Sequence, residues 1–365
     1  TLEKTEVLTI EASQISGHID RVTKLSNLAL LLYRWYVKNG HARNEQDETG
    51  IKEFFTNNLP SNPETITDFY ERLYLYQSYC WYAFIRQDFL MYYRYSRKWI
   101  DLFDAEPFMI TVETGHYVKG MHNLLNAHFD LRNYSEFEIT LRKFEAFAKT
   151  PAATLHDNFR IHTFVYINNA RINQHLMLGT FKQGLSLVRY IEEKQDEYAL
   201  YIDRHRVLVF NYKIATLYFG SEEYETSIDY LQKIINGPID LRIDLQCYAR
   251  LLHLIAHYEL GNFDLIEYLI KSVYRFMAKM ENLTVIEEAM FKFLRNSFKV
   301  SPRKLKPELE KFLDTIIQFE KSRFETRAFA YLDVISWVES KVYNRSVSSI
   351  IQEKVSKSKR SKDLL

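Results

Sequence analysis

One turn, written five times, constrains this chain more than any other feature. The segments AFIRQDF (83–89), HFDLRNY (128–134), HLMLGTF (175–181), YFGSEEY (218–224) and HYELGNF (257–263) align on a final Phe or Tyr. Their second residue is always large and apolar: Phe84, Phe129, Leu176, Phe219 or Tyr258. The residue before the aromatic is Asp88, Asn133, Thr180 or Asn262 in four copies, all types that accept from free amides at a helix start. Glu223 departs in the fifth, where Ser221 is the expected cap. Successive aromatics lie 39 to 47 residues apart. After four of them, apolar residues recur seven and ten positions on (Leu141/Phe144, Val188/Ile191, Leu231/Ile234, Ile270/Val273), the spacing of one face of an amphipathic helix. About 20 residues of helical pattern precede each aromatic. A period of this size is the signature of stacked helix pairs.

The prolines keep the same beat. Pro63, Pro107, Pro151 and Pro238 recur at one or two repeat lengths, and proline suits the first turn of a helix, where its missing N–H costs nothing. NPET (62–65) and SPRK (301–304) both read as a cap followed by proline. Scarce Gly (10) and Pro (7) beside abundant Tyr (26) and Phe (25) favour long helices over many-turned β structure. A chain of 365 residues, 47% hydrophobic, would otherwise suggest several domains; a repeat array avoids the split by growing in one dimension.

The expected map has four parts. Residues 1–62 are a lead-in, irregular, extended or partly helical over 1–18, with capping helices at 19–39 and 51–57 around a polar loop. Residues 63–321 are the repeat array, in pairs near 63–104, 107–149, 154–195, 198–236, 240–280 and 283–321. Residues 322–353 hold a C-terminal capping helix, near 324–345, whose polar outer side shields the last apolar face. Residues 354–365 (KVSKSKRSKDLL) are a basic, disordered tail, because like charges repel and little there can pack.

The stretch YKIATLYFGSEEYETSIDYLQKIINGP (212–238) resembles the tetratricopeptide-repeat family. Ala215, Tyr218, Tyr224, Ser227, Leu231 and Ile234 occupy that family's small and large slots in order, and Pro238 follows. The repeats here are longer than the family's period of about 34. The resemblance implies an all-α fold, a right-handed superhelix of antiparallel helix-turn-helix repeats. It also implies a concave groove lined by the first helix of each pair, and binding of peptides or proteins rather than catalysis.

Counting back from the turn aromatics places Lys119, His122, Asn123 and Asn126 on that face of one first helix, Tyr166, Asn169 and Asn173 on the next, and Tyr212 and Lys213 on a third. Asparagine is a poor interior helix residue unless its amide is used, and an amide can donate to and accept from a peptide backbone at once. In the resembled family, Asn126, Asn173 and Lys213 match slots of a peptide-carboxylate clamp.

Other chemistry has weaker support. No GxxxxGK[ST], GxGxxG, GxSxG or HExxH occurs. His253 and His257 have a zinc-compatible spacing, but Leu254 stands where a catalytic glutamate would, and His128, His175 and His257 share one repeat slot with Tyr218. That slot calls for a planar ring with a polar edge, so packing is the expected role, with no metal and no cofactor. Cys80 and Cys247 form neither a disulfide framework nor a zinc site and fit a reducing cytoplasm. With 48 basic and 47 acidic residues the net charge is +1, which disfavours nucleic acid; the 354–365 tail is its one candidate contact. No apolar run is long enough for a membrane span. The expected function is therefore a non-enzymatic peptide- or protein-binding scaffold. The alternative is the peptide-sensing half of a regulator with an effector domain upstream.

Overall fold

A computed structural model describes residues 2–239, 242–280, 283–297, 299–320, 322, 324–325 and 333–362. Among them every regular element is helical. Long helices α1 (Leu2–Asn39) and α2 (Glu45–Asn58) precede the pair α3 (Phe69–Ile85) and α4 (Phe89–Ala105). The short α5 (Met109–Val112) leads into α6 (Thr114–Asp130) and α7 (Tyr134–Phe147). Then come α8 (Pro151–Thr154), α9 (Asp157–Leu178), α10 (Phe181–Gly184) and α11 (Val188–Glu197). The pairs α12 (Arg204–Gly220) with α13 (Tyr224–Ile235), α14 (Ile243–Glu259) with α15 (Phe263–Lys279), and α16 (Val285–Ser297) with α17 (Pro302–Ile317) follow. The last described helices are α18 (Val334–Val342) and α19 (Val347–Lys362).

Each of the five turn aromatics is the first residue of a helix: Phe89, Tyr134, Phe181, Tyr224 and Phe263. The reason lies in the backbone just before it. The amides of Asp88, Asn133, Thr180, Glu223 and Asn262 donate five residues back, to the carbonyls of Ala83, His128, His175, Tyr218 and His257, at 2.9–3.1 Å. Between donor and acceptor sits a left-handed residue: Gln87, Arg132, Gly179, Glu222 or Gly261, with φ from 54° to 72°. This is a Schellman closure, which satisfies carbonyls orphaned at a helix end. Three of the five positions accept a side chain there at a cost of about 1 kcal/mol each.

A sixth copy exists that alignment on aromatics misses. Arg345 N–H donates to the Ser340 carbonyl at 2.9 Å across left-handed Asn344 (φ 51°), and α19 follows. Here the aromatic slot is Ser346.

The cap residues depart from expectation. Asp88 caps α4, accepting from Met91 N–H at 3.0 Å. Thr180 and Asn262 cap nothing with their side chains and face the repeat histidines instead. Thr180 Oγ1 lies 2.8 Å from His175 Nδ1, and Asn262 Nδ2 lies 3.0 Å from His257 Nδ1. Ser221, expected to cap α13, is buried at the end of α12, its hydroxyl without a partner among the described residues.

The chain forms two compact units, 1–133 and 134–365. The boundary falls inside the expected 63–321 array, at the second of the five turns. In the first unit, Leu28 and Leu32 of α1 and Ile51 and Phe55 of α2 pack with Tyr82 and Ile85 of α3. Residues 1–18, expected as irregular, extended or partly helical, belong to α1 from Leu2 onward.

In the second unit one apolar core runs from Ile161 to Val355. Its C-terminal end corrects two expectations. Helix α18 is buried nearly all round (Val334 1%, Trp337 1% and Val338 0% exposed), so it is no polar-faced cap. Residues 354–362, expected as a disordered arm, continue α19: Val355 is buried, and Lys354 Nζ reaches Glu339 at 2.6 Å and Ser336 Oγ at 2.9 Å. Apolar Val347, Ile350, Ile351 and Val355 give that helix a face to bury, which outweighs the charge repulsion of its lysines. The face lies on the Gly179 turn. Ser348 Oγ and Gln352 Nε2 donate to the Gly179 carbonyl at 2.6 and 3.1 Å, and a Cβ on Gly179 would stand 2.8 Å from the Ser348 carbonyl oxygen. The expected last helix at 324–345 falls partly on residues 326–332, outside the described residues.

Candidate functional site

Helix α6 is built as two faces. Tyr117, Val118, Met121, Leu124, Leu125 and His128 are buried. Gly120 lets the helix approach its neighbour: a Cβ there would meet Ile100 Cδ1 at 2.9 Å and the Trp99 ring at 3.0 Å. Lys119, His122, Asn123 and Asn126 are all half-buried, and their spacing of three, four and seven keeps them on one strip. Asn126 Nδ2 lies 3.1 Å from His122 Nε2, and Asn126 also bonds the deeply buried Tyr92 phenol. Lys119 Nζ sits 5.8 Å from the centre of the Trp81 ring. Desolvation lowers the Lys119 pKa, partly opposed by Cys80, whose own thiol burial pushes up to about 12.

The expected residues of the second unit are placed differently. Tyr166 is half-buried, between the His162 ring at 6.0 Å and the Arg206 guanidinium at 5.9 Å. Lys213 is also half-buried. Asn169, Asn173 and Tyr212 are buried, with only 5–6% of their surfaces exposed. Asn169 Nδ2 donates to the Val165 carbonyl one turn back at 2.9 Å, and neighbouring Asn168 does the same to Phe164 at 2.8 Å. Their Oδ1 atoms have no partner among the described residues. The helical count thus lands on half-buried residues throughout α6, whereas on α9 and α12 it lands on half-buried Tyr166 and Lys213 and on buried Asn169, Asn173 and Tyr212.

The repeat histidines are packed rings. His128 is 0% exposed with neither nitrogen partnered, and burial, with nearby Arg97, lowers its pKa to about 4. His253 and His257 meet edge to face at 4.6 Å. Burial is the first cause of the fall in the His253 pKa to about 4, and the neighbouring His257 is the second.

A different cluster, not singled out in the sequence, stands in the first unit. His18 of α1 meets Asp68 and Glu71 at the start of α3. One nitrogen, Nδ1, is 3.2 Å from Glu71 Oε1, and the other, Nε2, is 3.9 Å from Asp68 Oδ2. Among the described residues these three alone form a group of potential metal-ligating atoms, all within 4.8 Å of one another. Arg21 Nε donates to the same Glu71 oxygen at 2.9 Å. Asp68 Oδ1 caps α3, accepting from Glu71 N–H at 2.9 Å. The cluster forms one wall of a cavity of about 570 Å³, lined also by Lys24, Asn58, Asn62 and Thr65. Lys24 is paired with Asp20 at 2.6 Å. The D-x-x-E spacing of Asp68 and Glu71 reads as a capping box; nothing local marks His18, 50 residues earlier, as its partner. The chain matches no protein-family model and no curated protein.

Proposed function

We propose that this chain is a non-enzymatic peptide-binding module. Its hairpins would stack as a right-handed superhelix of tetratricopeptide-repeat type, with first helices lining the groove. The α6 strip carries the reading: Lys119, His122, Asn123 and Asn126 offer a cation, an imidazole and two amides along one accessible helix face. Amides held in this way suit a peptide backbone, which presents donors and acceptors alternately. In the second unit, taken by itself, Tyr166 of α9 and Lys213 of α12 offer an aromatic ring and a cation, while the buried Asn169, Asn173 and Tyr212 support those two helices.

The test begins with peptides selected from a displayed random library on the full chain. The triple variant Lys119→Ala, Asn123→Ala, Asn126→Ala should lose binding about tenfold or more while its melting temperature moves by only a few degrees. Asn173→Ala should do the reverse, lowering the melting temperature because its site is buried. Equal peptide affinity in the triple variant refutes the α6 strip as the site.

A further inference from the structure

We propose that His18, Asp68 and Glu71 form a binding site for a divalent first-row cation of the zinc class, open to the cavity beside them. The donor set is one imidazole nitrogen and two carboxylates, which suits zinc and its neighbours. Ligands around such an ion at about 2.1 Å stand roughly 3.0–3.6 Å from one another. His18 Nδ1 and Glu71 Oε1 are already 3.2 Å apart. The 3.9 Å contact of Asp68 is to the other ring nitrogen, Nε2, so an ion held by a single imidazole nitrogen needs the Asp68 carboxylate to close in from a group whose ligand atoms all lie within 4.8 Å. The side chains that must move are the exposed ones (His18 36%, Asp68 38%), while Glu71, 7% exposed, is the fixed point.

Arg21 explains how the site persists without an ion. A carboxylate this buried needs a cationic or hydrogen-bonding partner. The Arg21 guanidinium supplies one at 2.9 Å, from a side chain 57% exposed and therefore free to withdraw into water. Cation binding would exchange Arg21 for the ion at Glu71. The charges of the two carboxylates and Arg21 sum to −1, and Lys24 is held off by Asp20. Three protein ligands leave at least one coordination position toward the 570 Å³ cavity, for water or for an anionic or carbonyl oxygen.

The experiment is calorimetric titration of the chelator-stripped full chain with zinc chloride. One site of micromolar or better affinity is expected. His18→Ala and Asp68→Asn should each weaken it about tenfold or more, and Asp68→Asn leaves the helix cap intact because Asn caps as well as Asp. Arg21→Gln should tighten it about tenfold, since it removes a competing cation from Glu71. That gain is the signature a purely structural ion pair would not give. No zinc binding overturns the proposal. So does binding unchanged in His18→Ala, binding lost instead in His253→Ala, or an Arg21→Gln variant that binds more weakly.

Discussion

Two buried glutamates occupy the same place in their helices and do opposite work. Glu71 and Glu287 are each the third residue of a helix, three after a capping residue, with 5% and 0% of their surfaces exposed. Glu287 completes its own helix. It accepts from Thr284 N–H at 2.9 Å and from the Thr284 hydroxyl, and takes the Tyr248 hydroxyl at 3.0 Å. This is the carboxylate half of a capping box, tied as well to the hydroxyl of Tyr248 on α14. Glu71 has the same local pattern but turns to another element, accepting from Arg21 and facing His18 across 53 residues of chain. Identical spacing therefore gives a structural bolt in one unit and a cavity wall in the other. What differs is the partner brought by tertiary packing: the Tyr248 hydroxyl held at 1% exposure, or the Arg21 and His18 side chains, which reach water.

The comparison can be broken by mutation, and the largest effect belongs to Glu287. Glu287→Ala strands the Tyr248 hydroxyl in the core and leaves the half-buried Thr284 donors without their partner, and should cost about 3–5 kcal/mol in denaturant unfolding. Burial also raises the Glu287 pKa, so the native state keeps a proton that the unfolded chain releases. Its contribution is greatest below the ordinary carboxylate value and declines as pH rises through the raised one. Glu287→Gln should flatten that decline, and a pH series of melting temperatures reads it.

The histidines extend the contrast. His128, sealed and unpartnered, titrates at about 4 in the native state against 6.5 in a free side chain. Its folded pKa is depressed, so it favours the native state above pH 6.5 and that advantage is lost as pH falls toward 4. The loss is on the order of 3 kcal/mol. His128→Leu should be near neutral at pH 7 and more stable than the parent at pH 4.5; equal acid sensitivity would place the titrating group elsewhere.

Glu71→Ala should cost less than Glu287→Ala, about 1–2 kcal/mol, because Arg21 and His18 can turn to solvent. Equal losses at the two glutamates would erase the distinction. Smallest of all is Asp68→Asn, which keeps the cap and should change stability by under about 0.5 kcal/mol, against about 1 kcal/mol for Asp68→Ala. Thermal melts of the pair separate the capping role of Asp68 from its place in the cluster.

Much of the fold was legible because its signals are local. A turn aromatic that starts a helix and a backbone closure five residues long are written within seven consecutive positions, and they recur. The sixth turn escaped because Ser346 replaces the aromatic while Asn344 still takes the left-handed conformation. The candidate sites were legible by halves. The helical count picked a half-buried strip on α6, but it could not distinguish Asn126, half-buried, from Asn173, 5% exposed, since burial depends on what the next helix lays over a face. The basic C-terminal segment was misjudged for the same reason: its lysines are visible in the sequence, whereas the Gly179 turn that receives its apolar face lies some 170 residues away.

The sequence by itself thus determined the helices, the hairpin turns and their period, because hydrogen-bond closure and side-chain periodicity act over a few residues. Only the tertiary structure decided which polar groups meet. It set His18 between Asp68 and Glu71, Glu287 under Tyr248, and α19 on the Gly179 turn. Those contacts join residues 39 to 169 positions apart. They follow from how amphipathic faces pack against one another, which no local pattern specifies.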